Sequence, residues 1–115
     1  MTTTSEVLDQ LRSFVAERNW HQFHSPKNLA AGLAIEACEV QEIFLWTEDE
    51  ASRRLNERDL ARLREEIGDV QLYLLNLADQ FGLDPLDCAL SKLATNRSKY
   101  PAGKVWGSAR KYDEY

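Results

Sequence analysis

Two acidic pairs carry the chemistry that this sequence could do: Glu36-x-x-Glu39 and Glu66-x-x-Asp69. Each lies inside an apolar stretch with helical periodicity, residues 28–46 and 60–81. Residues three apart share a helix face, so each helix offers two carboxylates side by side. The face matters more than the spacing. At about 100° per residue, with Glu36 set at zero, Leu29, Val40, Leu33 and Phe44 fall at roughly 20 to 80°, and Ile43 just across zero. Glu36 therefore stands within the apolar stripe and Glu39 on its shoulder. The second helix repeats the arrangement. With Glu66 at zero, Leu77, Val70, Leu63, Phe81, Leu74 and Ile67 fall at roughly 20 to 100°, and Asp69 at about −60°. Two helices with acids in the same wrong place argue for one shared site.

Ionised carboxylates are almost never buried unless paired or metal-bound. Four together repel, and some must protonate unless cations join them. Neither stripe contains Lys or Arg. Oxygen-only ligands suit hard cations, Mg²⁺ above all, with water or phosphate oxygens completing an octahedron. A softer metal fits less well, because no His or Cys stands at ligand spacing beside these acids. A single E-x-x-E is commonplace on a solvated helix face. Two pairs that both invade apolar stripes make that reading the weaker of the two.

The elements that must position these acids follow from caps and periodicity. Thr3-x-x-Glu6 is a capping box opening a helix to about Asn19, with Val7, Leu8, Leu11, Phe14 and Val15 on one face. Residues 20–26 break the pattern and end in Ser25-Pro26, an N-cap followed by proline at the first helical position. A second helix then runs to about Trp46. A polar stretch, residues 47–59, separates the acidic helices, which can pack antiparallel. Asn56 or a neighbour caps the third helix, and Gly82 ends it. Asp84-Pro85 opens a fourth, which stops before Pro101. Nothing alternates as a strand would. The expectation is all-α: a four-helix bundle-like domain over residues 1–101, with residues 102–115 as an extended basic tail. The broad apolar stripes favour a homo-oligomer.

Composition sets outer limits. The chain has 115 residues, enough for one small domain, with 43% hydrophobic and 29% charged residues. No apolar run reaches membrane-spanning length, and the first ten residues carry no secretion signal, so a cytoplasmic location is expected. Cys38 and Cys88 lie in helical stretches and read as reduced core thiols. The net charge of −5 is unevenly spread: residues 1–91 carry 8 basic and 17 acidic side chains, residues 92–115 carry 6 and 2. An acidic body is poor for binding a nucleic acid polymer. Acids that hold cations, with a basic segment to meet phosphate oxygens, suit a metal–phosphate ligand.

Other side chains fall beside the acids. Tyr73 is four residues from Asp69, and Trp46 seven from Glu39, each on the acidic face. Aromatic rings there suit a planar ligand, or else close the end of the bundle core. His21 and His24 lie in the first break without a third ligand, so His24 is a loop hydrogen-bonder or a substrate contact. Gly68 lies mid-helix, where it either admits a close approach or is incidental. Lys92, Asn96 and Lys99 share a face of the fourth helix, as a solvated end or as the start of a phosphate-binding run.

The E-x-x-E pair, a gap of 26 residues and the E-x-x-D pair resemble the MazG-like all-α nucleotide pyrophosphohydrolases. Residues 16–29, 36–46, 65–74 and 92–101, with their W-x-x-F-H, F-L-W and N-R-x-K-Y-P motifs, look closest to the dCTP pyrophosphatase branch. The resemblance implies Mg²⁺-dependent hydrolysis of a (deoxy)nucleoside triphosphate, dCTP or a related or modified dNTP, to monophosphate and pyrophosphate. It implies that Glu36, Glu39, Glu66 and Asp69 are the catalytic metal ligands. Trp20, His24, Trp46 and Tyr73 would line the base and sugar pocket, and Lys92, Asn96 and Tyr100 would contact sugar or phosphates. It also implies a homodimer or homotetramer whose sites draw on more than one subunit. Leu11 departs from the pattern, since the branch can carry a polar, nucleotide-contacting residue there, and base preference stays open. Glu42 is a further candidate for orienting the attacking water.

Three rival readings stand beside this one. A di-iron bundle needs Glu-x-x-His motifs, which neither acidic helix has. A P-loop is also missing. A non-catalytic acidic interaction module would meet a basic partner and need no cation. A nucleotide-binding regulator would keep the pocket and hydrolyse poorly.

Overall fold

Side chains next to the backbone decide where the helices begin. In the computed structural model, which describes residues 1–114, α1 (Thr4–Glu17) opens with Thr3 Oγ1 accepting from the Glu6 N–H at 3.2 Å. Ser25 Oγ accepts from the Asn28 N–H at 3.1 Å to start α2 (Pro26–Phe44), with Pro26 at the first position. Asn56 Oδ1 does the same for the Asp59 N–H of α3 (Glu57–Asp79), and Asp84 Oδ1 for the Leu86 N–H of α4 (Pro85–Lys99), each at 2.8 Å. These caps are the ones that the sequence predicts.

The helix ends are equally local. Gly82, at φ 66°, closes α3 with paired bonds from its own N–H to Asp79 and from Leu83 N–H to Ala78. Asn19, at φ 53°, closes α1 in the same way, with Trp20 N–H reaching Val15. That turn aims Trp20 back at the helix it has just left. Among the described residues there is no strand, and no helix is long and apolar enough to cross a membrane.

The two acidic helices form the best-packed pair in the molecule. Gly32 faces Tyr73 while Glu39 approaches Glu66, so α2 and α3 run antiparallel. A Cβ on residue 32 would overlap the Tyr73 ring. This glycine, and not Gly68, whose Cβ position is open, allows the close approach. Leu29 and Ile43 of α2 are buried as the stripe predicts, together with Val15 of α1 and Leu75 of α3. A fork from Arg12 to both oxygens of Asp79 ties α1 to α3, and the guanidinium holds the Asp79 carboxyl below its ordinary range.

A closed four-helix bundle is not what forms. No residue of α4 is buried, and it meets α3 only marginally. The radius of gyration is 17.6 Å, against about 13 Å for a compact domain of this size. Part of the predicted stripe is open as well: Ile67 of α3 is 54% exposed, Phe81 just past its end is exposed too, and Cys38 and Cys88, expected in the core, lie on outward helix faces and are exposed. The tail also differs from an extended segment. It forms a short helix, α5 (Ala102–Val105), and a 3-10 turn at Tyr112–Glu114. Tyr112 packs edge-on against Tyr100 and under the Lys99 ammonium, so aromatic contacts fold the tail onto the end of α4.

Candidate functional site

Antiparallel packing brings the two acidic pairs together. Carboxylate oxygens of Glu36, Glu39 and Glu66 lie within 4.8 Å of one another, all three side chains half-buried. Asp69 stands at the exposed edge, near enough for its charge to act on Glu36 and Glu66. The electrostatics are those of an uncompensated cluster. Glu36 is pushed up to about 7, first by Glu39 within hydrogen-bonding range, then by burial and by the charges of Glu39 and Asp69. Glu66 is raised for the same leading reasons, Glu39 and then burial.

Two oxygens sharpen the point. Glu36 Oε2 and Glu66 Oε2 are buried without a hydrogen-bond partner. None of the ion pairs among the described residues involves them. Buried acceptors left unmatched on facing helices, in an oxygen-only donor set, fit a hard divalent cation. The cluster consists of carboxylates alone, without His21 or His24.

Beside the carboxylates lies a pocket of about 240 Å³, lined by Leu11, Phe14, Val15, Trp20, His24, Asp69, Leu72, Tyr73 and Asn76. Asp69 lines the pocket and stands at the edge of the acidic cluster, so the two lie side by side. Trp20 stands edge-on to Phe14 and His24, with ring centroids 5.7 and 6.5 Å away. His24 is held twice by α3: Asn76 Nδ2 lies 3.1 Å from its Nδ1, and Gln80 Nε2 donates to its carbonyl. The structure thus gathers Trp20, His24, Tyr73 and the four acids.

It does not gather the rest within one chain. The second helix ends at Phe44 and not at Trp46, and Trp46 beyond it is 93% exposed. Lys92 and Asn96 on α4 and Tyr100 at its C-cap lie outside the pocket lining. In the other direction, Phe14 and Val15, which periodicity marks only as an apolar face, line the pocket, as do Leu72 and Asn76. Asn76 had a signal: it is seven residues from Asp69 and three from Tyr73, on one face of α3.

The comparisons with known proteins agree with this geometry. The MazG-like family profile matches residues 32–115. dCTP pyrophosphatase 1 of Homo sapiens is 42% identical over 103 residues, and that of Bos taurus 41%, each match covering 88% of this chain. The chain spans 61% of the length of these curated relatives. The crystal structure of a pyrophosphatase from Archaeoglobus fulgidus DSM 4304 superimposes with a TM-score of 0.81 at 39% identity, over 88% of this chain and 94% of that one. The packed acidic helices, their spacing and these matches place the chain in the MazG-like family.

Proposed function

We propose that the chain is a nucleoside triphosphate pyrophosphohydrolase that converts dCTP, or a related or modified dNTP, to the monophosphate and pyrophosphate with Mg²⁺. The observation that carries this is the pair of orphaned carboxylate oxygens, Glu36 Oε2 and Glu66 Oε2, beside a pocket lined by aromatic side chains. Glu36, Glu39, Glu66 and Asp69 would hold Mg²⁺, which when bound supplies charge neutralisation at the phosphates and a more acidic water. The pocket supplies the rest. Trp20 and Tyr73 offer faces for a base and sugar, and His24 a polar group fixed from behind by α3. On this reading Asp69, which lines the pocket and stands at the edge of the cluster, would link the seated base to the metal-held phosphates, and attack at the α-phosphorus would release pyrophosphate.

We extend the reading to a homodimer or homotetramer acting on free nucleotides in the cytoplasm, with no polymer or membrane as partner. Leu86, Leu90 and Leu93 along α4, and Ile35 and Ile67 beside the acids, are exposed and need cover. In such an assembly Trp46, Lys92, Asn96 and Tyr100 would reach a site formed by another copy.

The test is product analysis on purified protein with a panel of dNTPs and NTPs, with Mg²⁺ and with EDTA. Monophosphate plus pyrophosphate, lost in EDTA, is the expected result. Diphosphate plus phosphate would overturn the mechanism. Mg²⁺-dependent nucleotide binding without turnover would favour a regulator, and neither binding nor turnover an acidic interaction module.

A further inference from the structure

The pocket wall is almost wholly apolar on the α1 side, where Leu11, Phe14 and Val15 line it. Its polar groups come from the opposite side: Asp69, Tyr73 and Asn76 of α3, with His24 in front of them. Asp69 is given to the acidic cluster. Away from it, the pocket offers the Tyr73 hydroxyl, the Trp20 indole N–H, and His24 and Asn76, of which the last two are joined to each other.

The joining has a chemical consequence. Asn76 Nδ2 is an amide nitrogen, which can only donate, and it lies 3.1 Å from His24 Nδ1. Nδ1 must then accept, so a neutral His24 carries its proton on Nε2. Gln80 holds the same histidine by its backbone carbonyl, so the ring's position and its tautomer are both set by α3. Among the described residues, neither His24 Nε2 nor Asn76 Oδ1 has a protein partner, which leaves one donor and one acceptor for a ligand.

The register along α3 says which part of a ligand they would meet. Asp69, Tyr73 and Asn76 follow one another on one face, with Asn76 about 10 Å along the axis from Asp69. A nucleotide with its phosphates at the acidic end lays its base toward Asn76. We propose that Asn76 is a positioning and specificity-determining residue: it fixes the His24 tautomer, and the pair reads the hydrogen-bonding edge of a nucleobase seated against Trp20. This rests on the pocket's being a nucleotide site and goes beyond it, since it names the groups that choose the base.

The experiment has two arms on the full chain. ¹⁵N NMR of the imidazole at alkaline pH, without nucleotide, should show His24 Nδ1 unprotonated and Nε2 protonated. In Asn76→Leu, of similar volume, the preference should relax toward a mixture. For the second arm, the kcat/KM values of the four dNTPs with Mg²⁺ are compared. The ratio between best and worst should shrink about tenfold in Asn76→Leu, mostly through KM. A wild-type Nδ1 that carries the proton overturns the positioning role. An unchanged tautomer and an unchanged order of bases in Asn76→Leu overturn the whole proposal. If the wild type neither binds nor hydrolyses any dNTP, base reading falls together with the nucleotide function, while the first arm still decides how Asn76 acts on His24.

Discussion

The α2–α3 pair and the α4 arm use the same kinds of residue and reach opposite states. In the pair, apolar side chains bury one another, a glycine admits an aromatic ring, and three carboxylates converge with Asp69 at their edge. In the arm, an amphipathic helix with three exposed leucines finds almost nothing to pack on. The first region is complete within the chain, apart from the positive charge that its carboxylates lack. The second leaves Leu86, Leu90 and Leu93 uncovered within the chain. One region thus lacks counter-charge and the other lacks cover.

The comparison breaks first at the acids. Glu36→Gln should lower turnover at least about a thousandfold while leaving helical content by circular dichroism unchanged. A variant that keeps its activity would remove the carboxylate cluster from the chemistry. Next comes the arm. Leu90, 67% exposed on α4, should be essential to assembly, so Leu90→Asp should lower the mass measured by light scattering and reduce turnover with it. If the mass of wild type and variant is that of one chain, α4 has another role.

Smaller effects sharpen the contrast. Gly32→Ala forces α2 and α3 apart around Tyr73 and should destabilise by about 1–3 kcal/mol in urea titrations. The matching change at Gly68, where a Cβ meets open space, should not. The metal-free protein should also show a pH slope. Glu36 is held at about 7 against its ordinary 4.5, so between these values the folded state keeps a proton that the unfolded chain has released. Its contribution is full below about 4.5 and lost as pH rises through about 7. In EDTA the melting temperature should therefore decline over that window more steeply for wild type than for Glu36→Gln. Mg²⁺ at pH 8 should restore it.

What the sequence made legible was local or periodic. Ser25-Pro26, Asn56, Asp84-Pro85 and Gly82 act on backbone groups a few residues away, so their meaning does not depend on the rest of the fold. The acidic faces were legible because helical periodicity fixes direction, and two equal misplacements imply a shared site. Family membership followed from the same residues. The place of α4 was not legible, because an apolar stripe says that a helix must be covered and not by what. For the same reason Ile67, counted with the core by its angle, is exposed, while Leu75, outside the stripe, is buried by the other face of α3. Asn76 was passed over as an ordinary polar residue in a helix. Only the packing of the first loop onto α3 gives it His24 as a partner.

The contact between Gly32 and Tyr73 also makes the two positions mutually dependent in any history of substitution. A side chain can enter at position 32 only if the ring at 73 shrinks or moves, and a smaller residue at 73 enlarges the pocket that Tyr73 lines. Ligand size is thus coupled to a backbone position outside the pocket. Double variants at 32 and 73 should be strongly non-additive, with the second change rescuing the first in stability while shifting which nucleotides fit.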